Sequence, residues 1–231
     1  MAVHECAGLS KSYGAVKALE DIDLKVEPGR VVGLLGPNGS GKTTLIKLAN
    51  GLLQPSAGRI LVCGREPGPE TKAEVSYMPE RLEMPEWTRV CRLADFFADF
   101  YADFDRARAA ELLERLGIDG ESRLRQLSKG LRQKVQLSLV MSRRAKLYLL
   151  DEPFGGMDPA SRDLMLETVL QSRAPEAAVV ISTHIITDVE RVLDDVVFLD
   201  RGGVRLCSPA AELRAREGKS VDELFREVFR C

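Results

Sequence analysis

The sequence predicts an α/β fold, and three observations along the chain support this prediction. An apolar run, Val31–Leu35, precedes a glycine-rich segment at residues 36–44, and residues 44–50 have the character of first helical turns. The glycine-rich segment matches the pattern G-x-x-x-x-G-K-[ST]. A second apolar run, at residues 147–150, ends in two carboxylates. Buried strands that bring such loops and acids to one edge are typical of α/β sheets.

The glycine-rich segment predicts a cradle for a triphosphate. Consecutive backbone N–H groups point at the anion, and the dipole of the following helix adds partial positive charge. Glycine allows the close approach, because a Cβ atom would collide there. Lys42 is expected to reach the β- and γ-phosphates, and the Thr43 hydroxyl is expected to bind Mg²⁺. The residues predicted to contact the nucleotide are Gly36, Pro37, Asn38, Gly39, Ser40, Gly41, Lys42, Thr43 and Thr44.

Composition narrows the class of protein. The chain has 231 residues, 45% apolar and 29% charged, with a formal net charge of −2. This balance gives no electrostatic reason to expect binding to nucleic acid or to an anionic membrane. Two histidines are too few for a histidine metal cluster. The cysteines are odd in number and never spaced as C-x-x-C, so we expect reduced thiols at Cys6, Cys63, Cys91, Cys207 and Cys231.

The sequence also bears on location. No run approaches the roughly 18 to 20 apolar residues that span a bilayer. Residues 1–10 lack the basic-then-apolar layout of a signal peptide. We therefore expect a soluble protein that stays inside the cell.

The first third of the chain predicts strands. Residues 3–26 alternate in the manner of two strands, with a turn at residues 13–14. Residues 58–64 form a glycine-bounded strand, and residues 74–78 form another. Together with Val31–Leu35, these segments make the start of the chain rich in strands.

From residue 89 to residue 144 the hydrophobic period becomes helical. Gly117 is a plausible helix stop within this stretch. The stretch predicts a helical insertion between Pro85 and Arg144. The residues that recur at helical spacing are Leu93, Phe96, Phe97, Phe100, Tyr101, Phe104, Leu112, Leu113 and Leu116.

The last third returns to alternating elements. Its apolar runs predict strands, and Pro159 and Pro175 bracket a helix. The predicted elements are strands at 146–151 and 178–183, a helix at 159–172, a hairpin at 196–206 that turns at 201–203, and helices at 210–216 and 221–229.

The acidic pair predicts the chemistry. A buried strand would deliver Asp151 and Glu152 beside the phosphate loop, where ligands bind in open α/β sheets. Asp151 is expected to hold Mg²⁺, directly or through water, and Glu152 to polarise the water that attacks the γ-phosphorus. Such a pair is also common as a turn and helix cap. Its combination with the phosphate loop favours phosphoryl transfer.

Three further segments distinguish among the kinases, GTPases, helicases and transporters that share those motifs. Residues 127–133, LSKGLRQ, are similar to the LSGGQ signature of ATP-binding-cassette (ABC) ATPases. Residues 155–158, GGMD, follow the acidic strand as the D-loop of that family does, and residues 182–184, STH, end a strand as its switch histidine does. The order and spacing agree from about residue 3 to residue 206. The chain therefore resembles an ABC ATPase subunit.

This resemblance implies a P-loop NTPase (ABC ATPase) fold with a RecA-like core sheet, an N-terminal antiparallel β subdomain and an α-helical subdomain. We expect a single domain over residues 1–231. Residues 1–85 and 145–208 would form the nucleotide-binding core with its antiparallel part. Residues 86–144 would form the helical subdomain, and residues 209–231 the C-terminal helices.

The resemblance also implies roles around the chain's own nucleotide. Tyr13 lies where the family stacks an aromatic ring on adenine, and Val16 would complete that apolar contact. His184 would contact the γ-phosphate and hold the attacking geometry with Glu152. Taken alone, Tyr13 would more often be a half-buried tyrosine at a strand end, and His184 a hydrogen-bonded structural histidine.

Other roles would serve a second subunit. In this family two chains close head-to-tail around two Mg·ATP. Ser128 and the Gly130 N–H would bind the γ-phosphate held by that partner, using the positive end of a helix. Asp158 would cross the interface. Taken alone, Ser128 would usually be an ordinary helix N-cap.

Two departures from the family pattern are informative. Glu80 stands where family members usually carry glutamine; it can still ligate Mg²⁺, but its charge must be offset by metal or by a cation such as Arg81. Lys129 and Leu131 replace glycine and glutamine in the signature. Lys129 would face the partner's nucleotide or its own flanking acids, unless it is a solvated surface lysine. Both departures resemble ABC-2-type exporters, the group of antibiotic-resistance ATPases.

The resemblance finally implies partners. Transport requires an integral membrane permease, which would hold the chain at the cytoplasmic face of the membrane. The alternatives are a soluble ABC ATPase of translation or DNA repair and, less compatible with the motifs, a phosphate-loop kinase or GTPase. Trp87 is the strongest interface candidate, because phenylalanines at helical spacing are more often core. The residues expected to line the docking groove are Met84, Pro85, Trp87, Phe96, Phe97, Phe100 and Tyr101.

Overall fold

Nine strands and eight α-helices are described in a computed structural model, which covers residues 2–81 and 83–229. Cys231, one of the predicted free thiols, lies outside the described residues. The strands are β1 His4–Tyr13, β2 Val16–Val26, β3 Val31–Leu35, β4 Ala57–Val62, β5 Val75–Met78, β6 Leu147–Asp151, β7 Ala178–Thr183, β8 Asp195–Asp200 and β9 Gly203–Pro209.

The helices agree with the predicted periods. The helical stretch contains three helices joined by loops, and the phosphate-loop helix begins at Lys42, two residues before its predicted start. The helices are α1 Lys42–Ala49, α2 Pro69–Lys72, α3 Val90–Phe100, α4 Arg106–Arg115, α5 Lys129–Met141, α6 Pro159–Ser172, α7 Ala210–Glu217 and α8 Val221–Phe229.

A six-stranded sheet in the order β5-β6-β7-β3-β8-β9 forms the core. Its strands pair in parallel except for the β8–β9 hairpin. β3, β6 and β7 are buried along their whole length, because helices or a second sheet cover both faces, which explains their continuous apolar runs. Their carboxyl ends meet at one edge, where Asp151 pairs with Ser182 and Leu35 with Thr183.

A separate antiparallel sheet in the order β2-β1-β4 packs on one face of the core. Its inward side chains share a hydrophobic cluster with α1 and with β3, β6 and β7. A second cluster covers the other face and joins the core to α3, α4, α5, α6 and the C-terminal helices. The predicted α/β architecture, with a parallel core, a separate antiparallel sheet and helices, is confirmed.

Side-chain hydrogen bonds at three positions link α5 and the residues just after it to β5 and the residue just after that strand. Near its end, Arg143 is buried and donates to the Val75 carbonyl at 2.5 Å. One turn earlier, Ser76 Oγ donates to the Val140 carbonyl at 2.8 Å. In the middle of the helix, Gln136 Nε2 donates to the Pro79 carbonyl at 2.6 Å. The helix that starts at the signature segment is therefore bound to the strand that leads to Glu80.

Candidate functional site

The phosphate loop wraps closely because two of its glycines have no room for a side chain. Gly41 has φ 110°, and a Cβ there would lie 2.7 Å from the Ala18 carbonyl oxygen. A Cβ on Gly36 would lie 2.3 Å from the Leu199 carbonyl oxygen. Immediately after Gly41, α1 begins at Lys42, which places the positive end of the helix at the loop.

The loop is also fixed by the turn of the β8–β9 hairpin. The Gly202 N–H donates to the Ser40 carbonyl at 2.9 Å, and its carbonyl accepts from the Glu20 N–H at 2.8 Å. One turn residue therefore joins the phosphate loop to β2 through main-chain hydrogen bonds, which depend on backbone position rather than on side-chain identity.

Lys42 is buried within the loop that it serves. Its ammonium donates to the carbonyls of Gly36 at 2.7 Å and Pro37 at 3.1 Å, and lies 4.0 Å from Glu152 Oε1. Burial lowers the pKa of Lys42, while Glu152 and Asp151 oppose that shift. A triphosphate would give this desolvated cation an anionic partner closer than the Glu152 carboxylate at 4.0 Å.

The two carboxylate oxygens of Asp151 differ in their hydrogen bonding. Its Oδ1 accepts from Ser182 Oγ at 2.5 Å. Its Oδ2 is buried without a hydrogen-bond partner. An orphaned buried carboxylate oxygen is costly unless something binds it, and Mg²⁺ prefers such oxygens. The described residues include no group of three or more histidine, cysteine or acidic side chains suited to a metal.

Glu152 is held in an uncommon backbone conformation. Its φ is +47°, in the left-handed region that disfavours a side chain. Its N–H donates to the Ser182 carbonyl at 3.0 Å and lies 3.2 Å from Ser182 Oγ. Its Oε1 lies 2.9 Å from His184 Nδ1. Local strain that neighbours enforce is typical of functional positions, and here it aims the carboxylate between Lys42 and His184.

One cavity of about 540 Å³ brings many of the predicted residues together. It lies at the carboxyl edge of the core sheet, which is where ligands bind in open α/β folds. Its lining consists of Ala18, Asn38, Gly39, Ser40, Gly41, Lys42, Thr43, Thr44, Glu80, Lys129, Gln133, Glu152, Gly155, Gly156, His184 and Ile185.

The predicted adenine contacts lie outside that lining. Tyr13 is 47% exposed and Val16 is 66% exposed, so both side chains are free to receive a flat ring. The Lys11 ammonium lies 5.3 Å from the centre of the Tyr13 ring. Adenine stacking at this pair stays a prediction.

The residues predicted to act on a partner's nucleotide also lie outside the cavity of their own chain. Ser128 is exposed and caps α5, accepting from the Leu131 N–H at 3.2 Å. Asp158 caps α6 and accepts from the Ser161 N–H at 3.0 Å, and this hydrogen bonding holds its pKa below the usual range. The capping role of Ser128 is present, and the exposed helix start remains open to a second molecule. Gly130 lies in the first turn of the same helix.

Sequence reasoning missed the roles of several residues. Ser182 Oγ binds the carboxylate of Asp151 and the backbone N–H of Glu152, and its only signal was its position at the end of a predicted strand. Gln133 is buried, its Oε1 lacks a partner, and it lines the cavity. Lys129 also lines the cavity of its own chain, which the signature motif did not indicate.

A cavity beside Glu80 is lined mostly by charged and polar residues, and the docking groove expected from the sequence stays a prediction. A second cavity of about 510 Å³ is lined by Glu80, Arg81, Leu127, Lys129, Arg132, Gln133 and Gln136. The aromatic candidates lie elsewhere. Phe97 packs against the core, Tyr101 stacks 3.8 Å from the Arg143 guanidinium, and Trp87 is 67% exposed. Phe96 and Phe100 are exposed and stack on each other at 4.4 Å.

Comparisons with known proteins agree with this geometry. A family model described as "ABC transporter" matches residues 19–155. The daunorubicin resistance ATP-binding protein DrrA3 of Streptomyces coeruleorubidus is 33% identical over 230 residues, which cover 96% of this chain and 73% of that protein. The ABC-type transporter ATP-binding protein EcsA of Bacillus subtilis is 30% identical and covers 95% of this chain and 94% of its own length.

Solved structures show the same architecture. A protein described as the ATP-binding subunit of an ABC transporter superposes with a TM-score of 0.87 at 34% identity, covering 98% of this chain and 99% of the other. A dimeric bacterial ABC transporter cassette, MJ0796, superposes with a TM-score of 0.79 at 19% identity, covering 89% of this chain and 98% of the other. Among the described residues, no helix is both long enough and apolar enough to cross a membrane.

Proposed function

This chain belongs to the ATP-binding, ATP-hydrolysing subunits of ABC transporters, and we propose that it drives an exporter by closing with a second cassette around two Mg·ATP. The observation that carries the proposal is the arrangement of Lys42, Asp151, Glu152 and His184 at the carboxyl edge of the parallel strands of the core sheet. Their order along the chain and their geometry both fit phosphoryl transfer to water.

Each residue has a role that follows from its contacts. Lys42 and the loop N–H groups would bind the β- and γ-phosphates, with Thr43 beside them. Glu152 would accept a proton from the attacking water, and His184, in contact with Glu152 Oε1, would hold that carboxylate in place. Mg²⁺, held by Asp151, Thr43 and Glu80, would supply charge neutralisation on the phosphate oxygens.

Three residues that lie outside the cavity support the proposal that a second cassette completes the site. Ser128, Gly130 and Asp158 do not line the cavity of their own chain. The exposed start of α5 carries uncommitted N–H groups and the positive end of a helix dipole. A γ-phosphate presented by another chain would satisfy them, so each ATP would be sandwiched between two protomers.

A catalytic variant tests this proposal. Glu152→Gln removes the proton acceptor but leaves phosphate binding intact, so we expect a stable dimer in Mg·ATP by size-exclusion chromatography. The matched control, Glu152→Gln with Lys42→Ala, loses the main phosphate contact and should remain monomeric. A Glu152→Gln chain that stays monomeric with saturating Mg·ATP would contradict the sandwich.

The exporter assignment rests on relatives. Proteins similar to this chain are named for daunorubicin resistance and linearmycin resistance. We propose that the chain likewise binds an integral membrane permease at the cytoplasmic face. Purification of the native complex from detergent-solubilised membranes should recover a membrane-spanning subunit. Recovery with ribosomes or DNA would favour the alternative, a soluble ABC ATPase of translation or repair.

A further inference from the structure

Two of the positions where this chain departs from the ABC pattern meet at one place in the structure. Glu80 and Lys129 both line the nucleotide cavity, and both also line the neighbouring cavity. Apart from them, Gln133 is the described residue that borders both spaces. The two unusual charges therefore stand at the boundary between the same two cavities.

The side chain of Lys129 passes close to Gly156, where the lack of a side chain leaves it room. A Cβ atom on Gly156 would lie 3.2 Å from Lys129 Cδ and 3.4 Å from its Nζ. Because Gly156, Lys129 and Glu80 all line the nucleotide cavity, the lysine that passes Gly156 borders the same space as Glu80. Within residues 2–81 and 83–229, neither Glu80 nor Lys129 forms an ion pair of 4 Å or less.

The other cations near Glu80 are placed differently. Arg81, its neighbour in sequence, lines the second cavity but not the nucleotide cavity. Lys42 lines the nucleotide cavity, but it is bound to the loop carbonyls and lies beside Glu152. Lys129 is thus the cation available to Glu80 within the nucleotide cavity.

A carboxylate at this place has an electrostatic cost. It repels a triphosphate unless a metal or a cation offsets its charge. Before Mg²⁺ binds, the offset must come from the protein itself. An exposed lysine that lines the same cavity can supply a modest, salt-sensitive part of that offset.

We propose that Lys129 offsets the charge of Glu80 in the nucleotide cavity of its own chain, and so sets how tightly the chain holds nucleotide before metal binds. The inference rests on the proposed function of this cavity as the ATP site. Lys129 acts through its electrostatic field in the cavity, so it is a positioning residue and not a catalytic one. Its effect occurs within one chain, whereas the signature segment that contains it would serve the partner's nucleotide.

Nucleotide affinity in a dilute monomer tests the proposal. A fluorescent ATP analogue would be titrated with EDTA present, at protein concentrations shown by sedimentation to be monomeric. We expect Lys129→Gln to weaken binding about two- to fivefold and Glu80→Gln to strengthen it by a similar factor, with the double variant near wild type. The matched control, Arg81→Gln, should change affinity by less than about 1.5-fold, since solvent screens it from the nucleotide.

Two further readouts separate charge from packing against Gly156. Lys129→Arg should keep the wild-type affinity, and the effect of Lys129→Gln should shrink in about 0.5 M salt, where the Debye length is only a few ångströms. An unchanged affinity in Lys129→Gln, a salt-insensitive loss, or an equal loss in Arg81→Gln would overturn the inference. A wild-type chain that fails to bind the analogue would overturn the proposed function itself, together with this inference.

Discussion

At the scale of single residues, the backbone of Glu152 connects stability to chemistry. A side chain at φ +47° is strained by about 1 kcal/mol or more relative to glycine. The strain is maintained by the pairing of the β6 end with Ser182. Catalytic geometry and stability therefore make opposing demands at this position.

We predict that the unfolding free energy of Glu152→Gly is about 1 kcal/mol higher than that of Glu152→Gln. Both variants remove the carboxylate, so their difference isolates the backbone strain. Urea unfolding followed by circular dichroism would measure it, and Glu152→Asn should fall between them because asparagine tolerates this region. A glycine variant less stable than the glutamine variant would contradict the strain.

His4 gives the fold a dependence on pH far from the nucleotide. It is buried in β1, its Nδ1 has no hydrogen-bond partner, and burial lowers its pKa to about 4. The unfolded chain takes up this proton near the ordinary value of 6.5, so it binds more protons than the folded chain between these values. Stability therefore falls as pH drops through this window.

We predict that His4→Leu removes about 3 kcal/mol of the stability difference between pH 7 and pH 4, since each pKa unit corresponds to about 1.4 kcal/mol. Urea unfolding of both proteins at several pH values would show it. The measure is the difference between the two curves, because acidic side chains contribute to both. Parallel curves would show that His4 titrates normally in the folded state.

At the scale of elements, the strands and long helices were predictable because their signals are local. β3, β6 and β7 are apolar runs buried on both faces, and α6 begins at Pro159 directly after its cap Asp158. The helix α2 was missed because four residues between turns carry no period.

The tertiary contacts at the site were not predictable in the same way. Ser182 reaches Asp151 only because β6 and β7 pair in one register. The sequence around these two residues gives no sign of that register. Lys129 was ambiguous because an exposed residue at a helix start can point in several directions. In the structure it passes Gly156, which is distant in sequence and has no side chain to block it.

The attachment of α5 to β5 makes a prediction at this scale. Gln136→Leu removes the donor to the partly buried Pro79 carbonyl, so it should cost about 1–2 kcal/mol of unfolding free energy. Ser76→Ala is the matched control. It should cost about 1 kcal/mol or less, because Val140 keeps an acceptor role within its own helix. If Gln136→Leu and Ser76→Ala lost the same unfolding free energy in urea, the larger cost predicted for the Gln136 hydrogen bond would be wrong.

At the scale of the whole molecule, the division of the site between two chains makes turnover depend on concentration. If Ser128, Gly130 and Asp158 act only across an interface, a lone protomer has half of each site. We predict that ATPase activity per chain falls in proportion to concentration once the protein is diluted below its dimerisation constant. Phosphate release measured over a dilution series would test this, and constant specific activity in a proven monomer would contradict it.

The turn at Gly202 has a practical consequence for anyone who labels this protein. A hairpin tip usually tolerates an inserted tag or protease site, but this one donates to Ser40 in the phosphate loop and accepts from β2. A fluorescent reporter placed there would disturb ATP binding from outside the cavity. The surface turn at Gly218, between α7 and α8, has open space around it and is the better place to attach one.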